Sequence, residues 1–402
     1  MRNSPMIEFP VEEFEWRLER LTKALKEANL DGIILTTKEN TRYFSGLQSI
    51  IWSSKVSTPG LAIVTAAGGI SMVGSASAVE TIKFTGCVED EDVYHFNRNG
   101  LPGIPFSYTD AVVDGIKRAG LDKGRVGMEF GDGFRLHLQI PWIEEIVKQL
   151  PEMEMSDASK LIWKCRSVKS AREIEKIRKI ALINEECFET AFSRVKLNET
   201  TEMGLFRMFA EEAFKRHCEG VQPITMRFGK ERFPYISCPP SDDVIIKNKP
   251  HDYIICDGSA FIEGNYYADM MCIGVVGELD EEQHALSDSA QQVLDYILEN
   301  LHPGVVIDDL VRKTAAFAAT TKAAKDYRSI DCIGHSVGLD IREFPVLAEG
   351  EKSVLEENMV FCVEPQFGNS EKGIFCSESV VAITESGCQL LSTPNRKPYI
   401  MK

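Results

Sequence analysis

Among the 402 residues, eleven cysteines include no C-x-x-C pair and their total is odd, which excludes a disulfide framework or a paired-cysteine zinc site as the organising principle. Long apolar runs are missing too. The longest candidate, Leu61 to Val79, is broken by Gly68, Gly69, Gly74 and several serines, and it falls short of the roughly twenty apolar residues that cross a bilayer. Met1 to Phe14 has no apolar core behind Arg2, so it does not read as a secretory signal. Positive charge is scarce: 45 Lys and Arg face 61 Asp and Glu, a net charge of −16, which repels a phosphate backbone. There is no Walker loop, no G-x-G-x-x-G after a strand and no H-E-x-x-H. What remains is a soluble, cytoplasmic chain with reduced thiols. It needs neither nucleic acid nor membrane, and its 44% hydrophobic content is enough to bury a large core.

Two regions read differently along the chain. The first alternates element types, with a helical pattern over Val11 to Ala28 and apolar strands at Gly32 to Thr36, Leu61 to Val64 and Gly127 to Phe130. Such alternation predicts a small α/β domain over residues 1–160. Beyond an irregular stretch, Ser170-Ala-Arg-Glu173 forms a capping box that opens a helix with Ile174, Ile177, Ala181, Phe188 and Phe192 on one stripe. A second helix follows Thr200-Thr201, with Met203, Phe206, Phe209 and Phe214 assigned to its buried side, and a third covers about Glu281 to Leu301. Short strands then dominate, at Tyr253 to Asp257, Asn265 to Val276, Met359 to Glu364 and Gly373 to Thr384, so residues 161–402 read as an α+β domain with antiparallel strands.

Four carboxylates stand in or at the ends of these strands: Asp257 closes YIICD, Asp269 interrupts NYYADMMCIGVV, Glu364 closes MVFCVE and Glu378 interrupts GIFCSESVVAIT. Any one of them alone reads as a strand end in water; four together do not. His335, in CIGHSVGLD, lies between the two acidic pairs, unlike His95, His137, His217, His251, His284 and His302. If the five converge, neighbouring carboxylates about 4 Å apart repel by roughly 4 kcal/mol at an effective dielectric near 20. Cations relieve this, and two divalent ions balance four carboxylates. Oxygen and imidazole donors suit manganese, cobalt, iron or zinc.

The segments ICDGSAFIEGNYYAD, GHSVGLDIREFP, MVFCVEP and FCSESVVAITESG, in this order, resemble the metal motifs of the pita-bread superfamily of aminopeptidase P, prolidase, methionine aminopeptidase and creatinase. RLERLTKALKEANLDGIILTTKENTRYFSGL is similar to the start of the creatinase-like N-terminal domain, and CRSVKSAREIEKIRKIA to the helix that opens the catalytic domain. The resemblance implies a pita-bread α+β catalytic domain behind a smaller α/β creatinase-like domain, and a homodimer. It implies Asp257, Asp269, His335, Glu364 and Glu378 as ligands of two divalent ions, manganese first, with a bridging hydroxide as nucleophile and Glu364 as general base. It also implies His335 at the reacting centre. The two aspartates are twelve apart, one more than in the peptidase motifs.

Three departures stand out. Ile341-Arg342-Glu343-Phe344-Pro345 replaces a V-H-E-x-P motif, Tyr235 to Asp243 lacks the upstream histidine, and Cys376 replaces the arginine of R-I-E. Arg342 has two readings: a surface cation paired with Glu343 or Glu349, or a fork gripping a substrate carboxylate, as in the L-R-E context of creatinase. Cys362 and Cys376 each precede a ligand glutamate by two residues, which puts them on the ligand face as pocket lining or as soft-metal donors. Gly334-His335-Ser336-Val337-Gly338 matches a nucleophile elbow by accident, since Pro345 blocks the following helix and no histidine lies downstream. The leading expectation is a dinuclear hydrolase of an amide-type C–N bond in a small peptide or amino-acid-like substrate, of Xaa-Pro aminopeptidase or prolidase type. The alternatives are a lyase or creatinase-like enzyme acting on a small carboxylate, and a non-catalytic scaffold.

Overall fold

The computed structural model describes residues 1–53, 60–97, 104–222, 224–262, 264, 266–328, 332–393 and 397–402. The chain divides into two compact units, Met1–Arg166 and Ser167–Lys402.

In the first unit, six strands among the described residues form one sheet in the order β4-β3-β2-β1-β5-β6. They are β1 (Gly32–Leu35), β2 (Leu61–Thr65), β3 (Ile70–Ser75), β4 (Val93–Phe96), β5 (Arg125–Met128) and β6 (Glu154–Asp157). The central strand β1 pairs antiparallel with β2 and parallel with β5. Ile33, Ile34 and Leu35 are all buried, as expected of a strand covered on both faces. Around the sheet run α1 (Val11–Glu27), α2 (Lys38–Ser45), α3 (Val79–Thr85), α4 (Tyr108–Arg118), α5 (Ile140–Gln149) and α6 (Ser159–Ser167). The strand expected at Gly127 to Phe130 lies two residues earlier, at β5, because the apolar side chains that pack are Val126 and Met128.

The second unit opens with α7 (Ala171–Ser193) and α8 (Glu202–Lys215). The capping box is present: Ser170 Oγ accepts from the Glu173 amide at 3.1 Å, and Glu173 accepts from the Ser170 amide at 2.9 Å. Ile177, Ala181, Phe188 and Phe192 are buried, and Ile174 is half-buried. On α8 the expected stripe is corrected. Phe214 is 57% exposed and Met203 and Phe206 are half-buried, while Leu205 and Phe209 carry the buried face. Glu202 is fully buried there too, because its carboxylate accepts from the Phe228 amide at 2.7 Å and pairs with Arg232 at 3.0 Å.

The strands of this unit are β7 (Gly220–Val221), β8 (Thr225–Phe228), β9 (Tyr253–Asp257), β10 (Ala260–Ile262), β11 (Tyr266–Tyr267), β12 (Met271–Val276), β13 (Tyr327–Arg328), β14 (Gly334–Ser336), β15 (Glu343–Val346), β16 (Val360–Val363), β17 (Gln366–Asn369), β18 (Gly373–Cys376), β19 (Ser379–Thr384), β20 (Gly387–Leu390) and β21 (Tyr399–Met401). One sheet has the order β21-β12-β9-β8 and another the order β15-β14-β16-β19-β20. Their ladders are antiparallel except that β21 joins β12 in parallel. Helices α9 (Glu281–Asn300) and α10 (Ile307–Ala318) cover a core of Tyr253, Ile255, Ile273, Leu294, Phe361 and Phe367, among others.

Two expected strands are each broken. The run to Val276 divides into β11 and β12 with Asp269 in the gap, and its proposed first residue, Asn265, lies outside the described residues. Gly373 to Thr384 divides into β18 and β19 with Glu378 in the gap. In both, the acidic residue stands outside the ladder, where its carboxylate is free to turn toward other groups.

Candidate metal centre

His335 lies in the middle of β14, opposite Cys362 of β16. Gly334, at φ +156°, permits that pairing, since a Cβ there would collide with the Cys362 carbonyl oxygen. The imidazole is 1% exposed. Its Nδ1 is 3.0 Å from the Ser336 carbonyl oxygen, which can only accept, so Nδ1 carries a proton and Nε2 is the nitrogen turned to the carboxylates. Nε2 faces Asp269 Oδ2 at 3.5 Å and Glu364 Oε1 at 3.7 Å.

Asp257 ends β9 opposite Met271 of β12. The Met271 amide donates to Glu378 Oε2, while Glu378 Oε1 is buried without a hydrogen-bond partner among the described residues. Burial, reinforced by the charges of Asp269 and Glu364, pushes the Asp257 carboxyl well above the usual range. Glu378 is pushed up by burial and then by Asp269, Glu364 and Asp257. Glu364 is raised by burial and Asp269, against the lowering influence of His335, Arg342 and a Gln366 amide at 3.1 Å. Burial would lower His335, but its hydrogen bond with Asp269 and the charges of Asp269 and Glu364 raise it instead.

The structure thus brings the five side chains read from the sequence into one electrostatic cluster. No group of three or more His, Cys, Asp or Glu side chains among the described residues is drawn together tightly enough to grip an ion as it stands. The cluster is a set of buried like charges held apart, and the Glu378 Oε1 oxygen and the His335 Nε2 nitrogen are the donors a cation would use. On that chemistry the residues fit divalent metal.

Arg342 is exposed, and neither expected surface partner holds it. Glu343 is engaged by Lys169 at 2.9 Å and Glu349 by Arg312 at 3.5 Å. Arg342 Nη2 instead lies 2.9 Å from Cys332 Sγ, and that thiol stands 3.9 Å from Glu364 Oε1. Cys362 is buried, with Sγ 3.8 Å from the Asp269 carbonyl oxygen. Cys376 shares a cavity lining with Asp269 and Glu378. Burial and the neighbouring carboxylates push both thiols well up. Ser336 is in β14 and is followed by turns and β15, as the rejected nucleophile elbow requires. Cys332 and Gln366 went unnoticed in the sequence. Both lie within three residues of a ligand candidate, the one signal that pointed to them.

Comparison with known proteins places the chain in a family. Residues 17–168 match the Creatinase/Prolidase N-terminal domain. An Xaa-Pro dipeptidase of Pyrococcus furiosus is 24% identical over 397 residues, covering 95% of this chain and 99% of that protein. An ectoine hydrolase of Halomonas elongata is 25% identical over 304 residues, covering 70% of this chain and 71% of that protein. The solved Xaa-Pro dipeptidase from Bacillus anthracis superposes with a TM-score of 0.81 at 20% identity, over 96% of this chain and 100% of its own, which shows the fold. Residues 175–385, more than half of the chain, match Metallopeptidase family M24, and the chain belongs to that family.

Proposed function

We propose that the chain is a dinuclear metallohydrolase that cleaves an amide-type C–N bond in a small peptide or amino-acid-like substrate, with Asp257, Asp269, His335, Glu364 and Glu378 as the metal ligands. The observation that carries this reading is His335, its Nδ1 tied to a carbonyl and its Nε2 bracketed by Asp269 and Glu364. With the Ser336 carbonyl fixing the ring through Nδ1, Nε2 is left as the nitrogen that a metal shared with the two carboxylates would take.

Divalent ions, if held by this set, would supply Lewis acidity and lower the pKa of a water toward roughly 7 to 9. Glu364 is the group positioned to hold and pass the proton. Gln366 donates to one of its oxygens, while the other faces His335 and the Cys332 thiol. Its burial pushes its carboxyl upward, which makes it a better proton acceptor. It takes the proton of the attacking water and delivers it to the leaving nitrogen. Arg342, beside Glu364 yet exposed, is placed to grip a substrate carboxylate through its planar fork.

An Xaa-Pro peptide is the first substrate class to test, since relatives named Xaa-Pro dipeptidase match over almost the whole chain. A cyclic or N-substituted amino acid is the second. The relative named ectoine hydrolase and the missing peptidase histidines favour it. We take the active form to be a manganese-loaded homodimer of a creatinase-like domain (residues 1–160) and a pita-bread domain (residues 161–402). The test is turnover of Xaa-Pro dipeptides, longer Xaa-Pro peptides and small N-acyl or cyclic amino acids by the manganese-loaded protein, with labelled water. Incorporation of the label into product supports hydrolysis. Turnover without it points to elimination, and inertness toward all classes, with two ions bound, points to a scaffold.

A further inference from the structure

A second set of charged side chains lies behind Asp257 and has no part in the chemistry above. Thr225 and Arg227 sit two residues apart on β8, so they face the same side of the sheet, and Thr225 is directly opposite Asp257 in the ladder. Arg227 is 1% exposed and donates through Nη1 to the Phe233 carbonyl oxygen at 2.7 Å. Arg328, on β13, lays its guanidinium over the ring of the same Phe233 at 5.3 Å. It is also paired in register with Gln366, whose amide reaches Glu364. Arg227 feels the charges of both Asp257 and Arg328.

Arg227 Nε, Arg328 Nε and Thr225 Oγ1 are each buried without a hydrogen-bond partner among the described residues. The two guanidinium nitrogens can only donate, and the hydroxyl can donate. Unspent buried donors of this kind are uncommon in a finished fold. Asp257 answers the charge of one guanidinium, not two. Were two divalent ions to balance the four carboxylates, Asp257 would no longer answer even that one.

We propose that Arg227 and Arg328, with the Thr225 hydroxyl, form a subsite for a carboxylate of the substrate, separate from Arg342, so that the preferred substrates carry an acidic group on the Asp257 side of the centre. A carboxylate suits this place because it only accepts and carries about four lone-pair sites. Arg328 is half-buried and Arg227 is 1% exposed, so Arg328 is the more accessible member of the pair. The inference rests on the reading above in assigning the carboxylate to a substrate and the balancing charge to metal.

The test is titration calorimetry with succinate on the full-length chain, with and without added manganese, with metal content measured on the same samples. Arg328→Gln, at a half-buried position, and Arg227→Met are each expected to weaken succinate about ten- to a hundredfold, the loss of one charge-assisted hydrogen bond. Succinate affinity unchanged in a cooperatively folded Arg328→Gln protein overturns the subsite, as does the absence of saturable binding in the wild type. Arginine-dependent succinate binding in a chain that takes up no metal would sustain the subsite and defeat the metallohydrolase reading. Two bound ions and Xaa-Pro turnover with succinate indifferent to both arginines would do the reverse.

Discussion

Lys169 Nζ lies 2.9 Å from Glu343 Oε2, and both side chains are 1% exposed. This buried pair ties the segment leading into α7 to the turn that carries Arg342, since Glu343 Oε1 also accepts from the Asp340 amide at 3.2 Å. Removing one member breaks a buried ion pair. Lys169→Met is therefore expected to lower stability by about 3 to 5 kcal/mol, and Lys169→Met with Glu343→Leu by clearly less than the two single changes summed. Denaturant unfolding of the two single variants and the double variant checks this; strict additivity would deny the coupling.

Glu364→Gln keeps the shape of the site and removes the proton acceptor. The expected result is a loss of kcat of about 10²- to 10⁴-fold with the fold intact. Pre-steady-state and steady-state rates on the best substrate measure it, and full activity would move the base elsewhere.

Arg342→Ala is expected to raise KM for a carboxylate-bearing substrate by an amount equivalent to about 1.5 to 3 kcal/mol, with a smaller effect on kcat. A KM unchanged on the true substrate would return Arg342 to an ordinary surface role.

Much of this site was legible in the sequence because each acidic residue sits among apolar neighbours that need a strand, and a carboxylate in such company calls for a partner. The chain breaks at Asp269 and Glu378 were less legible: periodicity alone extends a strand across a single polar residue, while the structure steps out of the ladder there. The exposure of Phe214 shows the same limit, since a 3.6-residue period cannot tell which end of a stripe reaches the core. Lys169 with Glu343, and Arg227 with Arg328, join positions more than a hundred residues apart. No local pattern announces such pairs.

Metal-free protein offers a pH test with a definite sign. Glu378 is pushed above its ordinary value of 4.5, so the folded state binds its proton more tightly than the unfolded chain does. Its stabilising contribution is complete below the unfolded value and disappears as pH rises through the folded value. Without metal, Glu378→Gln is expected to exceed the wild type in stability at pH 7 by about 1 to 3 kcal/mol, the cost of an unpartnered buried polar group. That gap closes as the pH falls toward 4.5. With manganese the order reverses, because the wild type alone keeps the carboxylate ligand. Thermal unfolding across pH, with and without manganese, reads both signs, and an unchanged order with the metal would speak against Glu378 as a ligand.

The most direct measurement is the metal content of the purified, manganese-equilibrated chain by plasma mass spectrometry, beside the variants Asp257→Ala and Glu378→Ala. The account predicts about two ions per wild-type chain and a clear loss of bound metal in each variant. Wild-type protein that retains no ion after desalting, or variants that hold as much as the wild type, would contradict it.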